Sequence, residues 1–278
     1  MPNNHFAILL TCHNRKAKTL DSLSHLCKFD ERFEIYIVDD NSTDGTTEAI
    51  ALQFPQVHLI KGSGNLYWNR GMHTAWEQAA KQDYDFYLWL NDDVVLYENC
   101  FDELMACSGI RNHQAIISGI VEGRETKETL YGGTDTKKQL IVPDGEMHPI
   151  TNLNGNVVLV PRDVYLRLGN LDPVYHHDLG DVDYGLRAKE HHISVYTTRI
   201  AVASGDKNDV CRVRLSDVTM RSRFKRLYSP LGSNPAILFY FRRKHYGLIN
   251  AAGYCLFLFI INVLPDTIVT FLFGERYN

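Results

Sequence analysis

Apolar residues in this chain come in short runs that end on polar clusters. "FAILL" at residues 6–10 breaks at "TCHNR", "FEIYIV" at 33–38 breaks at "DDNSTDGT", and "FYLWL" at 86–90 breaks at "NDD". Runs of this length without polar alternation predict strands buried on both faces, as in a parallel sheet. Between them the spacing changes. Leu20, Leu23, Leu26 and Cys27 recur at helical intervals, "TEAIALQF" and "NRGMHTAWEQAAKQ" also read as helices, and "VHLIKG" reads as a further strand. The alternation predicts a doubly wound α/β sheet, whose ligands bind at the carboxyl ends of the strands. All three polar clusters fall at that edge.

After residue 100 the pattern loosens. "AIISGIV" predicts a strand, "TLYGGT" and "LIVPDGEMHP" hairpin or loop, "GNVVLVPRDVYLRLG" a strand running into a helix, and "ISVYTT" another strand. In "HHDLGDVDYGLRAKEHH" acids stand just before and along the first turns of a helix. A boundary near "SGDKND" divides an α/β body, residues 1–205, from a C-terminal helical extension, residues 206–278, that is first basic and then apolar. Residues 247–273 are long and apolar but interrupted by Asn262, Pro265 and Asp266, and Arg242, Arg243 and Lys244 stand just before them. This pattern suits a surface of anionic headgroups. It equally suits a packed helical tail or an oligomer interface, such as that of a homodimer.

At 278 residues and 45% hydrophobic, the chain can bury a full core. A formal charge of −4 excludes generic nucleic-acid binding, which shows a basic excess. The six cysteines (Cys12, Cys27, Cys100, Cys107, Cys211 and Cys255) are scattered with no CxxC pair, so they read as reduced thiols rather than a zinc knuckle or a disulfide framework. "MPNNHFAILLTCHNRK" lacks the features of a signal peptide, and the expected location is cytoplasmic, peripheral on the inner face of the cell membrane. No GxGxxG follows the first strand and no GxxxxGK[ST] occurs, which weakens a dehydrogenase or kinase reading.

The polar clusters carry the candidate chemistry. Asp39-Asp40 either caps the following helix or supplies a carboxylate to a base or ribose. Arg70, where "GNLYWNRG" enters a helix, suits a phosphate or a surface ion pair, while Tyr67 and Trp68 read as packing. Asn91-Asp92-Asp93 sets two carboxylates side by side, and these repel unless something positive stands beside them. A hard divalent cation bridging a diphosphate is one such partner, an ordinary turn the plainer reading. Asp183 and Arg187 are spaced for an intrahelical ion pair. Asp181 is the choice for a general base, with Asp178, Asp183 and His177 near it in sequence.

Taken in order, "LLTCHNR", "IYIVDDNSTDGT", "NLYWNRGMHTAWEQA", "YLWLNDDV", "NGNVVLVPRDVY" and "GDVDYGLRA" resemble the family-2 inverting glycosyltransferases of GT-A fold, in particular the rhamnosyltransferase-like group, over roughly residues 6–200. The resemblance implies a mixed, mainly parallel sheet flanked by helices. It implies a nucleoside-diphosphate sugar donor, UDP- or dTDP-linked, and Mg²⁺ or Mn²⁺. Thr11 and Asp40 map to the nucleotide site, with Asn14, Arg15, Arg70 and Asp92 expected beside them. Asn91-Asp92-Asp93 maps to the metal-binding acidic motif, with Asp93 the direct ligand and Asn91 standing where the family often has Asp. The base falls in the family's "ED" dipeptide, which reads Gly180-Asp181 here. No QxxRW follows the late helix, which implies a non-processive enzyme. Some relatives supply a downstream histidine to the metal; "SGDKNDVC" offers Asp206, Asn208 or water instead. The implied acceptor is a hydroxyl of a glycan or lipid-linked oligosaccharide in bacterial surface polysaccharide synthesis, O-antigen included. The rival readings are a nucleotidyltransferase activating a sugar phosphate and a non-catalytic nucleotide-sugar-binding assembly subunit.

Overall fold

The computed structural model describes residues 4–29, 33–207 and 213–274. These cluster into two units, one within Met1–Pro173 and Gly180–Lys207, the other within Val174–Leu179 and Asn208–Asn278.

The first unit is the α/β body. Its elements in order are β1 (Phe6–Cys12), α1 (Lys16–Leu26), β2 (Phe33–Asp39), α2 (Thr46–Gln53), β3 (His58–Lys61), α3 (Tyr67–Ala79), β4 (Phe86–Leu90), β5 (Val95–Leu96), α4 (Cys100–Ile110), β6 (Ile116–Gly123), β7 (Thr129–Tyr131), β8 (Gly133–Thr134), β9 (Asn152–Leu153), β10 (Val157–Pro161), α5 (Arg162–Leu168), α6 (Gly180–Glu190) and β11 (Val195–Gly205). The main sheet runs β3-β2-β1-β4-β10-β6-β11-β5, with β7 beside β6, and β8 and β9 form a separate pair. β1, β2, β3 and β4 are mutually parallel. β10 is antiparallel to both β4 and β6, so the sheet is mixed and mainly parallel, as the resemblance implies.

Alternate residues of β1 serve opposite faces, as a strand's period of two requires. Ile8 and Leu10 join a core with Leu23 and Leu26 of α1, Ile50 of α2 and Leu104 of α4. Ala7 and Leu9 join the other, with Met72 and Trp76 of α3, Val164 of α5 and Tyr184 of α6. Cys27 departs from its expected place: it follows the end of α1 and is exposed. The five described cysteines are free, and Cys211 lies outside the described residues.

Two features of the sheet position the site. β1 and β2 end level with each other, Cys12 opposite Asp39, so their following loops emerge side by side. Because β10 runs antiparallel, its first residue Val157 pairs with the last residue of β4, Leu90. The segment before β10 is thereby brought against Asn91-Asp92-Asp93.

The second unit holds α7 (Met220–Leu227), α8 (Pro235–Tyr246), α9 (Leu248–Val263) and α10 (Asp266–Phe273). Leu227, Leu238 and Leu258 make its small core. Thr219 caps α7 and Asn234 caps α8, the latter followed by Pro235 in the first helical turn, where its missing N–H costs nothing. Asp266 accepts hydrogen bonds from Arg214 and, at 2.5 Å, from Arg223. Arg214 is almost fully buried and also donates to the Ile261 carbonyl, so this ion cluster pins the turn between α9 and α10. No described helix is long and apolar enough to cross a membrane.

Candidate active site

Three polar loops meet where β1, β2 and β4 end. Asp39 is spent on its own turn: it accepts from the backbone and hydroxyl of Ser42 and from Thr47. Asp44 does the same for Thr46 at the start of α2 and reaches across to the Lys16 amide. Both acids are thus spent on the turn into α2, whose N-cap is Gly45. Asp40 does something else, accepting from the amides of Gly64, Leu66 and Tyr67 at 2.7, 2.8 and 3.0 Å. It gathers the loop that enters α3 and holds Tyr67 at φ 59°, a left-handed conformation costly for an aromatic residue. Asn14 ties the β1 loop to the β2 loop, its Oδ1 accepting from the Thr43 amide at 2.7 Å and its own amide donating to Ser42. Thr11 packs against the bare backbone of Gly71 in α3.

The positive partner that the acidic pair requires is Arg15. Its two terminal nitrogens lie 3.0 Å from Asp92 Oδ1 and 2.5 Å from Asp93 Oδ2. Asp92 is buried and also accepts from Thr19. Burial, opposed by Arg15 and reinforced by Asp93, leaves the Asp92 carboxyl raised to about 6. Burial works against the Arg15 charge, but Asp92 and then Asp93 outweigh it and raise its pKa. Asp93 is the more open of the pair, its side chain 21% exposed. Arg124 donates to the Asp93 carbonyl at 2.9 Å and lies 3.6 Å from Asp206, whose other oxygen meets Lys18 at 3.0 Å. Asp206 thus shares the rim with Asp93, while Asn208 lies outside the described residues.

Asn91 is engaged on both sides of its amide. Its Oδ1 accepts from the indole Nε1 of Trp68 at 2.7 Å, and its Nδ2 donates to Asn156 Oδ1 at 2.5 Å. Asn156 in turn donates to Asn154, which fixes which end of its amide faces Asn91. The next residue back, Gly155, lies against the Trp68 ring and donates its amide to Asp181 Oδ2 at 3.0 Å. The other Asp181 oxygen accepts from the Val182 amide at 2.8 Å. Asn91 and Asp181 are therefore joined through one short segment, residues 154–156.

Asp181 stands in the first turn of α6. Gly180 before it has no room for a side chain: a Cβ there would come within 1.6 Å of Asn69 Oδ1. That contact is the physical reason the dipeptide lacks its first acid. Asp183 is fully buried and paired with Arg187 at 2.9 Å, the i,i+4 ion pair that the spacing predicts. Arg70 is tied to the Pro173 carbonyl at 2.8 Å.

The structure pairs Arg15 with Asp92 and Asp93, joins the adjacent Asn91 to Asp181 through residues 154–156 in the same network of loops, and places Thr11 near the end of β1 with Asn14 and Asp40 in the loops beside it. Trp68, which sequence alone gave no more than a packing role, and Asn156, Thr19 and Arg124, which drew no reading, are parts of this network. Trp68 and Asn156 lie within the motifs "NLYWNRG" and "NGNVV" that carry the resemblance, whereas nothing in the sequence marked Thr19 or Arg124. Among the described residues no three His, Cys, Asp or Glu side chains converge as a metal cluster.

The family model for glycosyl transferase family 2 matches residues 7–153. Solved structures of similar fold include mannosyltransferase PcManGT from Pyrobaculum calidifontis in complex with GDP-Man and Mn²⁺, at TM-score 0.56 and 14% identity, covering 98% of this chain and 79% of that one. Residues 1–349 of S. aureus TarS in complex with UDP-GlcNAc align at TM-score 0.57 and 14% identity, covering 98% and 76%. GalNAc-T7 with UDP, GalNAc and Mn²⁺ aligns at TM-score 0.57 and 12% identity over 81% of this chain, which spans about half of its length, 47%. No curated protein sequence matches this chain. The family match covers more than half of the chain and the fold agrees with it, so the chain belongs to glycosyl transferase family 2 and is a glycosyltransferase of GT-A fold.

Proposed function

We propose that this chain transfers one sugar, with inversion, from a UDP- or dTDP-linked donor to a hydroxyl of a glycan or lipid-linked acceptor. The setting is bacterial surface polysaccharide synthesis at the inner face of the cell membrane. The observation that carries the reading is the connection of Asp93 and Asp181 through Asn91, Asn156 and Gly155, which links an acidic, cation-bearing loop to an oriented carboxylate.

The residues fit a divalent metal. Mg²⁺ and related hard cations are commonly bound through one or two carboxylates plus substrate phosphates, and the part-exposed Asp93 offers such a carboxylate. Asp93 is the residue that would hold it. Asn91, with both ends of its amide engaged, positions the loop instead. When bound, the metal would offset charge on the departing diphosphate.

The chain's own groups supply the rest. In a direct displacement the acceptor oxygen forms its bond to the sugar C1 as the bond from C1 to the diphosphate oxygen breaks. The diphosphate leaves with the electron pair, and the acceptor proton passes to Asp181. Asp181 suits that role because a backbone N–H is donated to each of its oxygens, which orients the carboxylate. Arg15 supplies positive charge where the diphosphate would lie.

The test is binding of a panel of UDP-, dTDP- and GDP-sugars with and without Mn²⁺ or Mg²⁺. Metal-dependent binding of one donor that Asp93→Ala abolishes supports the reading. Failure of every nucleotide sugar to bind contradicts it.

A further inference from the structure

We infer that the exposed face of α9 and α10 lies in the surface of an anionic bilayer, parallel to it, inserted but not spanning. This rests on the membrane-face part of the proposed function and specifies how attachment occurs.

Over its 16 residues α9 carries no charged side chain. Its inward face is Ala251, Leu258, Ile261 and Asn262. Its outward face is just as apolar: Ile249 is 90% exposed, and Leu256, Ile260 and Val263 follow it at helical spacing, all exposed. α10 continues the surface with Phe271, 88% exposed, and Leu272. A soluble protein seldom leaves a contiguous apolar face of this kind in water, and its covering is a functional question.

Length decides between spanning and lying flat. Sixteen residues reach about 24 Å at the helical rise, short of the roughly 30 Å hydrocarbon core. Pro265 and the Arg214–Asp266–Arg223 cluster, whose two arginines are buried, then turn the chain into α10. Two short helices, each leaving an apolar side exposed, can lie in an interface but not span it.

Charge decides between a lipid surface and a second copy. Residues 213–274 hold eight Lys and Arg against two Asp and Glu, although the whole chain carries −4. Two copies meeting through this face would bring two strongly basic units together, whereas anionic headgroups neutralise them. The basic residues also flank the apolar strip. At its C-terminal half Phe259 packs on Phe224 of α7, a helix whose Arg221 and Lys225 are exposed. At its N-terminal half Arg242 sits 3.5 Å from the Tyr254 ring centre and bonds Asn250, next to exposed Arg243 and Lys244. Cations on long stems beside an apolar strip are placed to reach headgroups while the strip enters the acyl boundary.

The test is co-sedimentation of the full chain with vesicles of phosphatidylcholine alone or mixed with phosphatidylglycerol, with sedimentation velocity for oligomeric state. Binding to the mixed vesicles alone, weakened by salt, is the expected result. Ile249→Glu/Phe271→Glu should abolish it, and Arg243→Glu/Lys244→Glu should lower it by about tenfold or more. Nucleotide-sugar binding is measured on the same samples, so that loss of the donor site and loss of the membrane face are read separately. Circular dichroism of each variant reports folding. Equal binding to both vesicle types, no binding to either, or a concentration-dependent dimer dispersed by Ile249→Glu/Phe271→Glu would overturn the inference.

Discussion

Arg15 and Asp93 are joined at 2.5 Å, and the same guanidinium reaches Asp92 at 3.0 Å. One cation supplied by the chain thus relieves the repulsion of the acidic pair. It also stands where a divalent metal would compete for Asp93, so metal binding without a donor opposes this ion pair, whereas a donor diphosphate gives Arg15 a second anion to engage. Arg15→Met is expected to tighten Mn²⁺ binding in the absence of nucleotide several-fold and to weaken nucleoside-diphosphate binding. Calorimetric titration of metal and nucleotide separately checks both directions. Unchanged metal affinity would count against the competition.

Asn91 where the family often has Asp follows from its neighbours. Asn156 turns its oxygen toward Asn91 because its own nitrogen is spent on Asn154. An Asp at 91 would lose that hydrogen bond and set oxygen against oxygen. Asn91→Asp is therefore expected to destabilise the fold by about 1–3 kcal/mol without strengthening metal binding, as read by urea unfolding beside a Mn²⁺ titration. A tighter, equally stable variant would show that Asn91 is a ligand in waiting.

Gly180 faces Asn69 with no space between them. Gly180→Ala is expected to cost about 1–3 kcal/mol through overpacking, and an added Asn69→Ala should recover part of that cost. Thermal denaturation of the single and double variants measures the coupling. Additive effects would mean that the two residues do not meet in solution.

Glu103 gives a pH dependence remote from the site. Burial works to raise its pKa, but hydrogen bonds from the Arg199 side chain and backbone, then one from Cys107, leave it below its ordinary 4.5. The fold therefore favours the ionised form. That contribution is complete above the unfolded value and is lost as pH falls through the lowered folded one. Glu103→Gln should cost about 2 kcal/mol near neutrality and flatten the acid side of the stability profile. An unchanged profile in denaturant melts at several pH values would contradict this.

Sequence periodicity carried the body of the fold because its strands are short, apolar and buried on both faces, and its helices are amphipathic. The direction of β10 was not legible: "VVLVP" is apolar in either sense, and only pairing with β4 and β6 sets it antiparallel. The extent of β11 was also hidden. Its middle, "TTRI", looks like an end, but Thr198 accepts the Ile120 amide and donates to the Ile200 carbonyl, so a hydroxyl carries the sheet past an irregular register. At the site, the polar clusters were legible because parallel strands deliver them to one edge. Their partners were not. Trp68 and Asn91 are 23 residues apart and Arg15 and Asp93 are 78 apart, and nothing local announces such pairs.

In the proposed mechanism Asp181 takes the acceptor proton while Asp93 serves the donor. Single-turnover transfer or hydrolysis of the bound nucleotide sugar by Asp181→Asn, measured with donor affinity on the same preparation, tests it most directly. Unchanged donor binding and a rate lowered by about 10²–10⁴-fold are the expected result. A variant that turns over at the unsubstituted rate, or a natural protein that binds donor and never turns it over with any hydroxyl acceptor, would contradict it.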